Sequence, residues 1–294
     1  MAEAHEYVSF ALLIGETHTT RYFHSEGRTE SDMSLSLFIG PRFFQYAIFG
    51  PGSKEALELC DVDHTGREPG IAGDQLDILF QNYSLAGTRF RKTNVAVLHH
   101  HFVMLPSSFA AQADLAGVLS FTGASPQEGS TMRHQMREFE FCFRTDSLLV
   151  QTLERAFSNC SVRHAGAVSI LGFTSSASLS GCSAFLNVHT GMIEIALRRD
   201  GTVVFYNTFA VSGDEDVLYY LLFSAEQFLM KPDEITLGIA GQADENGQLV
   251  KYLRRYCGGI QFVSNDPTVQ LAGRLRDLDP HRYFTLLNQH LCEL

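Results

Sequence analysis

Apolar and polar positions follow a legible order from Ser183 to Ser264. In Ser183–His189, Ala184, Leu186 and Val188 share one face, and Phe185, Asn187 and His189 the other, the period of a strand. Met192–Arg198 alternates again, with Ile193, Ile195 and Leu197 opposite Glu194 and Arg198. Asp200-Gly201 then supplies the left-handed dihedrals of a two-residue hairpin. Val203–Phe209, rich in β-branched and aromatic residues, is a third strand. Ser212 and Glu215 stand at capping-box spacing before a helical run through Val217, Leu218, Leu221, Leu222, Ala225, Phe228 and Leu229. Lys231-Pro232 ends that run. Glu234–Gln242 reads as a strand. Leu249, Val250, Leu253 and Cys257 mark a second helix closed by Gly258-Gly259, and a last strand follows to Ser264.

The same order is legible earlier in the chain. Ser34–Gly40, Phe43–Gly50 and Leu57–His64 are three candidate strands, with Pro41 turning the chain between the first two. After a loop at Gly66–Gly73, Leu76, Leu79, Phe80 and Tyr83 form a helical face, and Asn94–His100 a fourth strand. An insertion intervenes at about 102–145. It holds a short strand and helix over Phe102–Leu119, a polar loop at Thr122–Met136 expected to be mobile, and an alternating strand at Arg137–Arg144. A helix through Leu148, Leu149, Leu153 and Phe157, a short strand near Val162 and a lead-out at Ala165–Leu171 complete the first copy. Residues 1–32 form an extension whose apolar run, Tyr7–Ile14, fits a strand or a helix. Asp279–Leu294 reads as one closing helix, with Tyr283, Leu286, Leu287 and Leu291 on its apolar face.

Antiparallel neighbours need only a turn, whereas parallel ones need a crossover. The order β-β-β-α-β-α-β therefore describes a three-stranded meander extended by two strands through right-handed crossovers. This is the ribonuclease-H-like plan, laid down twice on mixed five-stranded sheets. The expected division is 1–32, 33–175 and 182–294, with Gly172–Gly181 as the boundary segment.

Composition narrows the function classes. Hydrophobic residues make up 45% of the 294 positions and charged ones 19%, which fits a folded chain long enough for two domains. The net charge of −11 argues against a nucleic-acid partner. No apolar stretch reaches the length of a membrane span, and the acidic start lacks the basic region of a secretory signal. Six scattered cysteines without a CxxC pair are expected to be reduced and buried, consistent with a cytoplasmic location.

Two tandem modules of this plan resemble the actin-like ATPase fold, shared by actin, sugar kinases, Hsp70-type chaperones and bacterial pilus-assembly and cell-division proteins. More narrowly, Val203–Met230 and Phe102–Phe109 resemble an uncharacterised bacterial domain-of-unknown-function family assigned that fold, over roughly residues 32–265. The resemblance implies two phosphate hairpins, each with a metal-handling Asp and glycines whose N–H groups cradle phosphates. At the first hairpin, Leu35–Phe44, the Asp is absent and Pro41 removes a backbone donor. At the second, Phe185–Ile195, Asn187 stands in the Asp position, His189 and Thr190 replace glycines, and Gly191 survives. The adenosine-side motif keeps Gly238 and Gly241, with Gln242 in place of the next glycine. Asn187, His189, Thr190, Gly191, Gly238, Gly241 and Gln242 thus outline a vestigial nucleotide site, with no catalytic residue and no metal ligand assigned.

Other candidates have plainer explanations. A ribonuclease H needs several carboxylates for two metal ions, and Glu194 stands alone on its strand. Of His99-His100-His101, only His99 and His101 would share a strand face, with no third ligand in sight. Asp214-Glu215-Asp216 suits a helix start through the macrodipole. The serines of Gly172–Gly181 lack a base and a strand-turn-helix context. Asn207, in a strand between Tyr206 and Thr208, is expected to bond a neighbouring loop or to line the cleft. The expected function is a non-catalytic scaffold without cofactor, holding an unidentified protein partner or a second copy of itself. The alternatives are a divergent switch or weak ATPase binding Mg-ATP, and a small-molecule enzyme with a deep polar pocket.

Overall fold

The computed structural model describes residues 11–12, 15–23, 32–52, 54–64, 73–123, 129–181 and 183–293. The chain divides into two compact units, 1–167 with 268–277, and 168–267 with 278–294.

The first unit contains β1 (Ala11–Leu12), β2 (Gly15–Phe23), β3 (Ser34–Gly40), β4 (Phe43–Phe49), β5 (Glu55–His64), α1 (Gly73–Asn82) and β6 (Lys92–Val97). It continues with β7 (Phe102–Pro106), α2 (Ser107–Ala110), α3 (Leu115–Ser120), β8 (Ser130–Gln135), β9 (Phe139–Thr145), α4 (Ser147–Ala156) and β10 (Cys160–His164). Its main sheet runs β1-β2-β5-β4-β3-β6-β10, and β7-β9-β8 form a separate three-stranded sheet. The alternation in β3 turns Leu35, Leu37 and Ile39 to one face. There they pack with Phe44, Tyr46, and Leu76 and Phe80 of α1, together with Leu149 and Leu153 of α4. Phe80 and Phe157 meet edge-on, ring centroids 5.0 Å apart. The Asp146 side chain caps α4 by accepting from Leu148 N at 2.9 Å.

The chain passes from the first unit to the second within α5 (Ala165–Ser175), and the second unit builds β11 (Ala184–His189), β12 (Met192–Arg199), β13 (Thr202–Ala210), α6 (Asp214–Gln227), β14 (Thr236–Gly241), α7 (Gln248–Tyr256) and β15 (Gly259–Phe262). Sheet order is β13-β12-β11-β14-β15. Counting strands within each module, this is 3-2-1-4-5, and β5-β4-β3-β6-β10 repeats it in the first unit. Pairing is antiparallel through each meander and parallel at both crossover strands. Ala184, Leu186, Ile193 and Ile195 face α6 and α7. On the opposite face, Phe185 stacks near Phe173 of α5 at 5.4 Å and near Phe284 at 5.0 Å. No helix among the described residues is long and apolar enough to cross a membrane.

Several elements depart from the pattern-based expectation. The first sheet exceeds five strands, because β1 and β2 extend it and β16 (Gln270–Leu271) pairs with the start of β5. β2 is a polar sequence with no clear alternation, and β16 has only two residues. Of the Tyr7–Ile14 run, only Ala11–Leu12 lie within the described residues; of the loop at Gly66–Gly73, only Gly73 does, and it opens α1. Residues 130–135, read as loop, form edge strand β8 against β9, tied by Arg133 to Glu140 at 2.6 Å. Residues 124–128 of that loop lie outside the described residues. The α6 N-cap is Gly213, one residue after Ser212, and Asp216 rather than Glu215 reaches back, accepting from Ser212 N at 2.7 Å. The closing helix is broken into a 3-10 turn at Pro280–Tyr283, a short helix α8 (Phe284–Leu287) and a second 3-10 turn at Gln289–Glu293. Tertiary fit decides this break: the Phe284 ring lies over Gly172, where a Cβ would stand 2.5 Å from it.

Gly201 and Gly241 both hold positive φ, +83° and +79°, but differ in clearance. Around Gly201 nothing lies within 4 Å of an added Cβ, so Gly201→Ala meets only the left-handed backbone penalty of about 1–2 kcal/mol. At Gly241 the added atom would sit 2.0 Å from Val188 O, within the β11–β14 pairing. Gly241→Ala is therefore expected to destabilise by at least about 3 kcal/mol, and urea denaturation of the two variants checks the contrast.

Candidate functional site

The β11–β12 hairpin turns at Thr190-Gly191, and its register pairs His189 with Met192 and Asn187 with Glu194. The next ladder sets Glu194 opposite Thr208 and Ala196 opposite Tyr206. Glu194 and Tyr206 thus sit diagonally on one face. Glu194 is fully buried and accepts through both carboxylate oxygens. Asn187 Nδ2 donates to Oε1 at 2.8 Å, His189 Nε2 bonds the same oxygen at 2.8 Å, and Tyr206 OH donates to Oε2 at 2.7 Å. Asn187 Nδ2 also donates to Thr285 Oγ1 at 2.8 Å, and Ser169 Oγ lies 3.4 Å from that hydroxyl.

Burial opposes charge on Glu194 and by itself raises the carboxyl pKa. The His189 hydrogen bond and charge, with hydrogen bonds from Tyr206 and Ser169, act the other way and prevail, holding the group below its ordinary value. Tyr206 is driven well above the usual phenol range by burial, then by the Glu194 charge and the hydrogen bond to it. The arrangement stabilises a carboxylate and holds Tyr206 as a neutral donor.

The structure brings six of the seven sequence-derived positions together at the ends of β11 and β14. Asn187 and His189 lie inside the Glu194 network. Thr190 Oγ1 donates to Gln242 Oε1 at 2.9 Å, and Gln242 N donates to Val188 O at 2.7 Å. Gly191 forms the turn and Gly241 closes against Val188. Gly238 stands apart, opposite Phe185 in mid-strand. Beside the turn, between the starts of α6 and α7, a cavity of about 330 Å³ is lined by Gly191, Gly213, Asp214, Gln242, Asp244 and Gly247, among others. Two helix starts favour an anion there, while the two carboxylates oppose one.

These residues do not fit a metal-bound triphosphate. The buried carboxylate at the second hairpin is Glu194, already occupied by three side chains. In the first unit the buried Phe43 ring lies against its cross-strand partner Gly40, where a Cβ would stand 2.2 Å away. Among the described residues no cluster of three or more His, Cys, Asp or Glu could hold a metal ion.

The histidine run lies beyond β6 and not on it. Burial, then the neighbouring His164, His101 and His100, keep His99 well below its ordinary pKa. His164, which the sequence did not single out, is buried among rings: Phe141 stacks on it at 5.3 Å and Phe102 lies 4.4 Å away. Among the described residues Asn207 bonds no neighbouring loop and does not join the network; its Oδ1 accepts from Thr208 N in its own strand. Its neighbours Tyr206 and Thr208 are the buried ones. Sequence reasoning missed Tyr206 and Ser169 as partners of Glu194, and Thr285 as a partner of Asn187. The Thr190-Gly191 turn carried a signal for Asn187 facing Glu194, but Thr285 is 98 positions from Asn187.

Removing the Glu194 carboxylate strands its buried partners, Asn187, His189 and Tyr206 among them, so Glu194→Ala is expected to cost about 3–5 kcal/mol in urea denaturation. The Glu194 charge contributes stability fully above its unfolded pKa of about 4.3 and loses it as pH falls through the lower folded value. Glu194→Gln should therefore show a flatter acid limb between about pH 3 and pH 5 than the wild type, measured by urea titration at each pH.

No curated protein matches the chain by sequence. By structure it is similar to a Bacteroides thetaiotaomicron protein with actin-like ATPase fold and unknown function, at 14% identity and a TM-score of 0.66, covering 80% of this chain and 91% of that one. It is also similar to a chain of the PilM–PilN type IV pilus biogenesis complex, at 12% identity and a TM-score of 0.56, covering 90% and 99%. At these identities the likeness establishes the fold. The family model of a protein of unknown function, DUF3822, matches residues 25–260, most of the chain. The chain therefore belongs to the DUF3822 family and has the actin-like ATPase fold.

Proposed function

We propose that this chain is a non-catalytic actin-like scaffold that works in the cytoplasm through protein contacts, its nucleotide hairpins having become structural. The observation that carries this is the state of Asn187. It stands where the fold's metal-handling Asp is expected, and its amide nitrogen is spent on Glu194 and Thr285 inside the second unit. At the first hairpin the buried Phe43 ring packs directly against Gly40. A protein partner agrees with the net charge of −11, which disfavours nucleic acid. The PilM–PilN complex supports the reading by example, since a protein of this fold is there held with a partner.

A second reading, a divergent nucleotide switch, is favoured by one observation. Asn187 Oδ1 is buried without a hydrogen-bond partner among the described residues, beside Gly241. Thermal-shift titration with Mg-ATP separates the two. Binding stabilises the folded state by RT ln(1 + [L]/Kd), about 2.7 kcal/mol at a hundredfold excess over Kd. The scaffold reading expects no change in melting temperature up to millimolar nucleotide. A saturable upward shift overturns it in favour of the switch.

A further inference from the structure

Helix α6 carries an apolar strip on its solvent side. Tyr219 and Phe223, one helical turn apart, are 60% and 44% exposed, and their rings stack with centroids 5.8 Å apart and an interplanar angle of 15°. With Leu222, Leu229, Met230 and Pro232 they line an open groove of about 620 Å³. The end of the helix is more telling. Met230 N donates to Ala225 O and Leu229 N to Glu226 O, both at 2.9 Å, the paired bonds of a Schellman motif. Leu229 occupies its left-handed position, at φ +53°, where glycine is the usual residue. It is also 90% exposed. Leucine there brings backbone strain and leaves an apolar side chain in water, and neither is offset by contacts within the described chain. Strain and exposed apolar area coinciding at the rim of a groove point to a binding surface.

Charge decides the occupant. Residues 212–234 hold six acids, Asp214, Glu215, Asp216, Glu226, Asp233 and Glu234, against the single base Lys231. Glu226 and Lys231 line the groove, Lys231 is bound to Glu234 at 2.7 Å, and Arg199 from β12 donates to Phe228 O at the helix end, so acids still outnumber bases around it. We infer that the α6 groove receives a basic amphipathic helix of another protein. Its apolar anchors lie over Tyr219, Phe223 and Leu229, and its Lys or Arg side chains face Glu226 and the neighbouring acids. A second copy of this chain is disfavoured, because it would bring two acidic rims together in a protein of net charge −11. This inference rests on the protein-contact reading above and names the surface and the chemistry of the partner.

The test places p-benzoylphenylalanine at Phe223 of the full chain, with the exposed Phe121 of the first unit as a second position, in the cells that make the protein. After irradiation, the cross-linked peptides are sequenced by mass spectrometry. The expected adduct from Phe223 is a Lys/Arg-bearing segment of amphipathic helical pattern. Its yield should fall roughly tenfold or more with Leu229→Gly and with Glu226→Lys added. Leu229→Gly should itself melt at or above the wild-type temperature, which separates lost docking from lost folding. An acidic or uncharged adduct, an adduct only to another copy, or a yield indifferent to either substitution overturns the inference. So does the absence of any adduct from Phe223. In that event an adduct from Phe121 leaves the scaffold reading standing, whereas a Mg-ATP thermal shift removes the scaffold reading as well.

Discussion

The second unit is organised around a charge that has no access to water. Glu194 sits in mid-strand on the face of the sheet turned toward α5 and α8, and stripping a carboxylate of water costs several kcal/mol unless donors replace what is lost. The donors come from separate elements: Asn187 and His189 on β11, and Tyr206 on β13. Through Asn187 the network reaches Thr285 of α8, and Thr285 in turn neighbours Ser169 of α5. One anion therefore fixes the register of two ladders and the seat of two helices. A slip of one residue along β12 would turn Glu194 into the layer of Leu186, Ile193 and Ile195, where nothing could solvate it. The first unit buries a comparable pair, Tyr46 OH to Glu58 Oε1 at 2.6 Å, again between the second and third strands of its meander, with the partners exchanged between strands.

The same constraint bears on function. Backbone geometry at the second hairpin is that of a turn built for close approach: Gly241 presses on Val188, and Gln242 reaches across to Thr190. What differs is where the side chains are engaged. Asn187 Nδ2 and His189 Nε2 are both turned to Glu194 and serve as internal struts.

How much of this was legible in the sequence follows from the range of each interaction. Both meanders, the four crossover helices α1, α4, α6 and α7, and the Asp200-Gly201 turn are written in local periodicity, and the structure has them. Strand β8 was hidden because an edge strand with polar side chains on both faces leaves no alternation to detect. The closing segment looked like one helix because its apolar spacing is helical, yet Phe284 over Gly172 and Thr285 beneath Asn187 hold it in pieces. Asn187 was visible as a departure from a motif. The reason for its orientation was not, since Thr285 and Ser169 reach it only after the chain has folded back.

Strand β16 has a consequence for how the chain is made. Residues 270–271 lie beyond the last strand of the second unit, yet they pair with Glu55 and Ala56 at the start of β5. The polypeptide then returns at residue 278 to complete the second unit. During synthesis the earlier-emerging sheet must wait, with part of one edge unpaired, until more than two hundred further residues have left the ribosome, an exposure that loop-closure entropy prolongs. The two units are thus separate as packed bodies but not as stretches of polypeptide, and no single cut releases either one whole.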